Sequence, residues 1–319
     1  MATVEPSAFD ALLQRMLTRT DVDTLPDHLE TAHGIKVARM SQLDVGVFRV
    51  DRNDEGKPLV VRMFSSARPR TAAEADLAVL RHLATIGFPA ERPFENGVVT
   101  EHEGQTVLVT EFIREVPKAK RPPHPIVRLG AMVGRLHGVA VPPGADRPAG
   151  ALHHFAEGTM TDELDAVAGW LDAVEPRVPR GDGAALDALR TAVSQADGGD
   201  GLPEAFVHPD PVPKNVIFTA DGPVLIDWTS TGRGPRLASM ALVLRSGWAA
   251  VPFMKGYSRI VSLTDDERDR LAGLLFSRTL IDAVFRACRE PDKIRAAAEK
   301  VRTLRRASVQ KADELLAAL

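Results

Sequence analysis

Asp210, Asn215 and Asp227 have the side-chain types and the spacing to hold a divalent ion against phosphate. They lie in Phe206-Val207-His208-Pro209-Asp210-Pro211-Val212-Pro213-Lys214-Asn215-Val216-Ile217-Phe218, then a turn at Asp221-Gly222-Pro223, then Val224-Leu225-Ile226-Asp227-Trp228. Two apolar runs joined by Ala220-Asp221-Gly222-Pro223 read as a hairpin. A hairpin brings its ends together, so the three residues should converge on one small volume. Two carboxylates and an amide oxygen are hard donors. They suit Mg²⁺, which takes one or two carboxylates plus substrate phosphates. Taken singly, Asp210 and Asp221 read equally well as turn residues and Asp227 as a strand end; the set, in this order, points to chemistry.

The pattern His-x-Asp-x-x-x-x-Asn, followed by a second Asp, resembles the catalytic loop and metal-binding Asp of the protein-kinase-like fold. The Ile226-Asp227-Trp228 context is more similar to the aminoglycoside phosphotransferase (choline-kinase-like) family. The resemblance implies that Asp210 accepts or orients the acceptor hydroxyl proton. It also implies that Asn215 and Asp227 hold Mg²⁺ on the phosphates of ATP or another nucleoside triphosphate, and that His208 bonds backbone behind the loop. Two departures stand out. Pro209 replaces the family's usual Gly, and Val212 stands where protein kinases place a Lys two residues after the catalytic Asp, which favours a small-molecule acceptor.

Positioning these groups requires a sheet-rich part ahead of them. Helical spacing of apolar residues predicts helices over 7–17 and 24–31, the latter ending at His33-Gly34. Strands are predicted over 35–40, 45–50 and 58–64, with Ser41 to Asp44 joining the first two. In the kinase-like fold that first turn closes over the phosphates and is usually glycine-rich. Here it holds only Gly46 and carries Asp44, so phosphate contact falls to Ser41 and backbone N–H groups, or the turn sits further away. The family places a cation at Arg62 against the phosphates, where a guanidinium suits bidentate contact. A helix over 71–85 follows, and Glu74, with Asp76 as the alternative, is expected to pair with Arg62. Strands over 98–101 and 106–112 complete five. The last resembles the strand before the hinge, where backbone groups of Glu111 and Ile113 would meet the adenine edge.

Residues 114–125 hold four prolines among Lys118, Lys120 and Arg121, and mark the best boundary. The expected division is a nucleotide-binding lobe over 1–113 and a helical catalytic and substrate lobe over 114–319. Helices are predicted over 127–139, 161–174, 182–196, 237–244, from the capping box at Thr264 onward, and over 292–319. His137 reads as a packed histidine. His153-His154 lacks partners at ligand spacing. The polar face of 161–174 offers Asp162, Glu163, Asp165 and Asp172, either as a solvated face or as a pocket wall for a cationic acceptor.

With 319 residues, 26% charged and 44% apolar, the chain is a globular mixture long enough for two lobes. A net charge of −3 gives no argument for nucleic acid or an anionic membrane. The single cysteine, Cys288, excludes an intrachain disulfide. No apolar run reaches spanning length, and the first residues lack a basic and apolar leader pattern, so a cytoplasmic monomer or homodimer is the expectation. The fold is expected to be α+β and bilobal, protein-kinase-like: a five-stranded antiparallel sheet plus helix, then a mostly helical lobe. The function implied is transfer of the ATP γ-phosphoryl group to a hydroxyl of a small molecule, with Mg²⁺. An aminoglycoside-like or other antibiotic, or a choline- or homoserine-type metabolite, would fit. A non-catalytic nucleotide-binding regulatory module is the alternative from another class, and the missing Ala-Pro-Glu segment after Asp227 argues against a protein kinase.

Overall fold

A computed structural model of the chain describes residues 8–54, 56–95, 97–142, 144–151 and 158–319. The His153-His154 pair and residues 1–7 lie outside them. In chain order the elements are α1 (Ala8–Leu17), α2 (Leu25–His33), β1 (Val37–Asp44), β2 (Val47–Arg52), β3 (Leu59–Met63), α3 (Arg70–Thr85), β4 (Val99–His102) and β5 (Gln105–Glu111). These are followed by α4 (Pro125–Leu136), α5 (Met160–Val174), α6 (Gly183–Ser194), β6 (Glu204–Val207), β7 (Val216–Phe218), β8 (Pro223–Leu225) and β9 (Gly232–Pro235). The chain closes with α7 (Arg236–Ser239), α8 (Ala241–Leu244), α9 (Ala250–Tyr257), α10 (Asp265–Arg289) and α11 (Ile294–Leu316).

The first five strands form one antiparallel sheet in the order β1-β2-β3-β5-β4. Alternation decides which side chain faces which way. In β3, Leu59, Val61 and Met63 are buried with Val107 and Val109 of β5 under Leu25 and Leu29 of α2. Val60 and Arg62 therefore face the opposite side. Leu108 of β5 joins Leu77, Leu80 and Leu83 of α3 in the main core. The sheet thus carries a helix on each face, where the sequence reading had one.

The expected N-terminal lobe also differs at its start. Phe9 of α1 packs on Trp170 of α5 and Phe285 of α10, with ring centroids 5.5 and 5.8 Å apart. Asp10 pairs with Arg177 at 2.6 Å. The first helix therefore belongs with the helical part. Sequence periodicity shows that a helix has an apolar face but not which lobe covers it.

Within the helical part, α4 and α9 cross at glycines. A Cβ on Gly130 would sit 1.9 Å from the Phe253 carbonyl oxygen, and one on Gly256 would sit 1.9 Å from that of Val127. Helix α9 contains Pro252 and Gly256, and was not foreseen. The expected helix over 237–244 is two short helices broken at Met240. The capping box at Thr264 forms, with Glu267 N–H donating to Thr264 Oγ1 and Thr264 N–H donating to Glu267 Oε2. Among the described residues no helix is long and apolar enough to cross a membrane.

Candidate active site

The hairpin expected after Asn215 is β7 and β8, paired from Val216–Leu225 to Phe218–Pro223. Its foot is closed by Ile226 N–H donating to the Asn215 carbonyl at 2.9 Å. Asn215, at the start of β7, and Asp227, two residues past β8, both line the cleft beneath the sheet. His208 is buried and shapes the loop before them. Its Nδ1 accepts from the Asp210 N–H at 3.1 Å, and its Nε2 lies 3.1 Å from the Ile226 carbonyl. That pair of contacts specifies a neutral ring protonated at Nε2. Burial lowers the His208 pKa in spite of the nearby Asp227 and Asp210 carboxylates.

Asn215 Nδ2 donates to Asp210 Oδ2 at 2.9 Å and to the Asp210 carbonyl at 3.0 Å. This orientation turns the amide oxygen of Asn215 away from Asp210. Asp210 Oδ1 is buried and has no hydrogen-bond partner among the described residues. Such an atom is costly unless a ligand satisfies it. Lys214 Nζ, mostly exposed, lies 3.3 Å from Asp210 Oδ2. Asp227 holds a left-handed backbone, φ +66°. Its Oδ1 accepts from Thr229 Oγ1 at 3.0 Å and pairs with Arg62 at 2.9 Å.

Arg62 therefore meets the site directly, but its partner is not the one expected. Glu74 is half exposed and pairs with Arg70 one turn earlier at 2.8 Å. Asp76 is buried and pairs with Arg68 at 2.7 Å and with Arg147. It also accepts from the Ser230 N–H at 3.1 Å. The acid of α3 thus ties the sheet-rich part to residues just past Asp227, while Arg62 is left to Asp227. Burial alone would lower the Arg62 pKa, but Asp227, Glu91, Asp76 and Asp44 outweigh it and raise it.

Glu91 was missed. It lies in the linker from α3 to β4, is buried, and accepts the Asp227 N–H on Oε1 at 2.8 Å. Burial pushes its carboxyl upward, opposed by Arg62. The linker is held in place because Ala90 bridges to Leu225, with Leu225 N–H donating to the Pro89 carbonyl at 3.0 Å. The only signal available in the sequence was an acid bracketed by Pro89 and Pro93, too common a pattern to single out.

The first turn also differs. The strands run longer than expected, so Ser41 is a β1 residue opposite Arg49 and does not line the cleft. The turn is Val45-Gly46. Gly46 has φ +67°, and a Cβ there would sit 2.4 Å from the Met63 carbonyl oxygen and 2.6 Å from Arg19 Nε. Glycine serves close packing against β3 here. Asp44 accepts its own turn's Val45 N–H at 2.7 Å and lines the cleft.

This cleft, about 290 Å³, is also lined by Val47, Val60, Glu111, Phe112 and Ile113. The N–H groups of Glu111 and Phe112 donate to the Arg92 and Pro58 carbonyls. Among the backbone groups expected to face a base, the Glu111 N–H is therefore already spent. A second cavity, about 510 Å³, lies beside the loop that carries Asp210. It is lined by Asp210, Val212, Lys214, Leu242, Arg245 and Trp248 among others. Asp210 in this cavity and Asn215 in the cleft are hydrogen-bonded to each other, and Lys214 lines both spaces.

The donors fit a hard divalent cation: a carboxylate and an amide oxygen, with no sulfur or imidazole. Among the described residues no group of three or more His, Cys, Asp or Glu side chains is arranged to hold a metal. A cation here would complete its shell from phosphate and water, as Mg²⁺ does.

Solved structures share this fold. An amicoumacin kinase in complex with AMP-PNP, Ca²⁺ and Ami aligns with 92% of this chain and 94% of its own, at 16% identity and a TM-score of 0.59. The choline kinase LicA from Streptococcus pneumoniae aligns with 92% of this chain and 98% of its own, at 13% identity and a TM-score of 0.58. A spectinomycin phosphotransferase in complex with ADP and spectinomycin covers 94% of this chain and 99% of its own, at 13% identity and a TM-score of 0.54. No curated protein matches the sequence at a significant level. The profile of the phosphotransferase enzyme family matches residues 41–274, well over half of the sequence, and the chain belongs to that family.

Proposed function

We propose that this phosphotransferase moves the γ-phosphoryl group of ATP to a hydroxyl of a small molecule. The carrying observation is Asp210: it lines the second cavity, is fixed by Asn215, which lines the first, and keeps one buried carboxylate oxygen without a partner among the described residues. In the reaction the acceptor oxygen forms a bond to the γ-phosphorus, the bridging bond to the β-phosphate breaks, and ADP leaves. Asp210 orients the acceptor hydroxyl and takes its proton. Asn215 and Asp227 would hold a divalent ion, Mg²⁺ by the chemistry of the donors. Bound there, it would neutralise charge on the phosphates. Arg62 would reach the phosphates from β3, and Ile113 N–H with the Glu111 carbonyl would meet the adenine edge. The turn at Gly46, whose flanking residues Asp44 and Val47 line the cleft, would meet the phosphates through backbone N–H groups. Antibiotic-modifying kinases and metabolic kinases of the cytoplasm share this chemistry and differ in the acceptor they admit.

Radiolabelled ATP with Mg²⁺ and a panel of hydroxyl compounds tests the reading. Asp210→Asn is expected to cut transfer by roughly 10²–10⁴-fold, with ATP binding by calorimetry retained. Loss of binding together with transfer would make Asp210 a structural residue. No labelled product from any hydroxyl compound would overturn the proposal.

A further inference from the structure

Resting on that reading, we propose that the acceptor is a neutral hydroxyl compound with an apolar face, and that the pocket selects against polycations. The inference comes from where the charges of the second cavity are already spent. Its described lining has three cations, Lys214, Arg245 and Arg278, against two carboxylates, Asp210 and Asp282. Asp282 is paired with Arg245, and Asp210 has Lys214 at 3.3 Å. Arg278 is 4% exposed and pairs at 2.5 Å with the fully buried Glu163.

None of the four acids of α5 lines this cavity. Glu163 is turned inward to Arg278, Asp162 closes the capping box at Thr159, and Asp172 pairs with Arg190 at 2.7 Å. An ammonium group entering this cavity would lose water and find every described carboxylate already facing a cation. Apart from Ser246 the rest of the described wall is apolar, and Trp248 in it stands 68% exposed. An exposed indole offers a flat apolar surface to the body of a ligand whose hydroxyl reaches Asp210.

Trp248 also supplies the probe. The other tryptophans, Trp170 and Trp228, are buried, so ligand-dependent emission shifts report Trp248. The ligands would be matched pairs: an aminoglycoside and its per-N-acetylated form, phenyl glucoside and its 2-amino-2-deoxy analogue, N-acetylethanolamine and choline. The neutral member of each pair is expected to give a saturable blue shift at about tenfold or more lower concentration than its ammonium partner, a difference of about 1.4 kcal/mol. Trp248→Phe should abolish the shift. Equal or tighter binding of the ammonium members overturns the inference, as does the absence of a shift with every pair. The readout needs no turnover. Neutral ligands that bind but are never phosphorylated would sink the proposed reaction and leave the pocket assignment standing, whereas a phosphorylated polycation would do the reverse.

Discussion

Glu91 is 7% exposed, and its Oε1 takes the N–H of Asp227, a non-glycine residue held at φ +66°. A left-handed backbone costs such a residue about 1–2 kcal/mol, so something must hold it there. The Glu91 carboxylate does so and also faces Arg62 across the cleft wall. Removing it should let Asp227 relax and release Arg62 from one of its counter-charges. Outer partners of metal ligands typically carry 10–100-fold in metal affinity. Glu91→Ala is therefore expected to raise the Mg²⁺ concentration for half-maximal activity by roughly 10–100-fold. Glu91→Gln keeps an accepting oxygen and should fall between wild type and Glu91→Ala. A Mg²⁺ titration of Glu91→Ala that overlays wild type would leave Glu91 as linker packing only. Asp210, Asn215 and Asp227 could be put forward from the sequence because they flank one hairpin, and local pattern fixes a hairpin. Glu91 was not, because the N–H it accepts lies 136 positions away, and Asp76, named as an alternative partner of Arg62, instead binds Arg68, Arg147 and the Ser230 N–H, the last 154 positions away.

Helices α4 and α9 show how the same residue type has opposite meanings in two elements. Glycine inside a helix costs roughly 0.5–1 kcal/mol relative to alanine. Gly169, within α5, has open space where a Cβ would go. Gly169→Ala is expected to stabilise the protein by about that amount. Gly130 meets the backbone of Phe253, which cannot move without shifting α9. Gly130→Ala should instead destabilise by about 1–3 kcal/mol, the usual cost of overpacking. Urea unfolding of the two variants reads both signs, and a stabilised Gly130→Ala would show that the helix crossing is looser than its geometry. The same crossing explains the missed helix. Pro252 and Gly256 are breakers by local propensity, and their value appears only when a second backbone lies against them. Elements with one clear apolar face, such as α3, α5 and α10, were legible to within a residue or two at most ends. The β1–β2 turn was displaced because Ser41 to Asp44 reads as a polar joint while the ladder, set by pairing with β2, runs on to Asp44.

Across the whole molecule, the two parts are joined by buried polar groups as well as by core. Asp76 of α3 holds Arg147 and the Ser230 N–H, and His208 braces the loop between them. Buried histidines make stability sensitive to acid. His137 is buried against Tyr257, its Nδ1 2.9 Å from the phenol oxygen, and burial drives its pKa down to about 3. His208 is lowered by burial as well. In the unfolded chain both return to about 6.5. Below that pH the unfolded state binds more protons than the folded one, so stability falls as pH drops, for His137 down to about 3. Above pH ~6.5 both states are neutral and this contribution is constant. The slope approaches about 1.4 kcal/mol per pH unit for each such group. Urea unfolding free energies are therefore expected to be level between pH 7 and 8, and to fall by roughly 1–3 kcal/mol between pH 7 and 5.5. His137→Asn keeps a partner for Tyr257 and removes one titrating group, so its profile should be shallower over the acid range. If the variant and wild type lose stability in parallel, His137 is not the source.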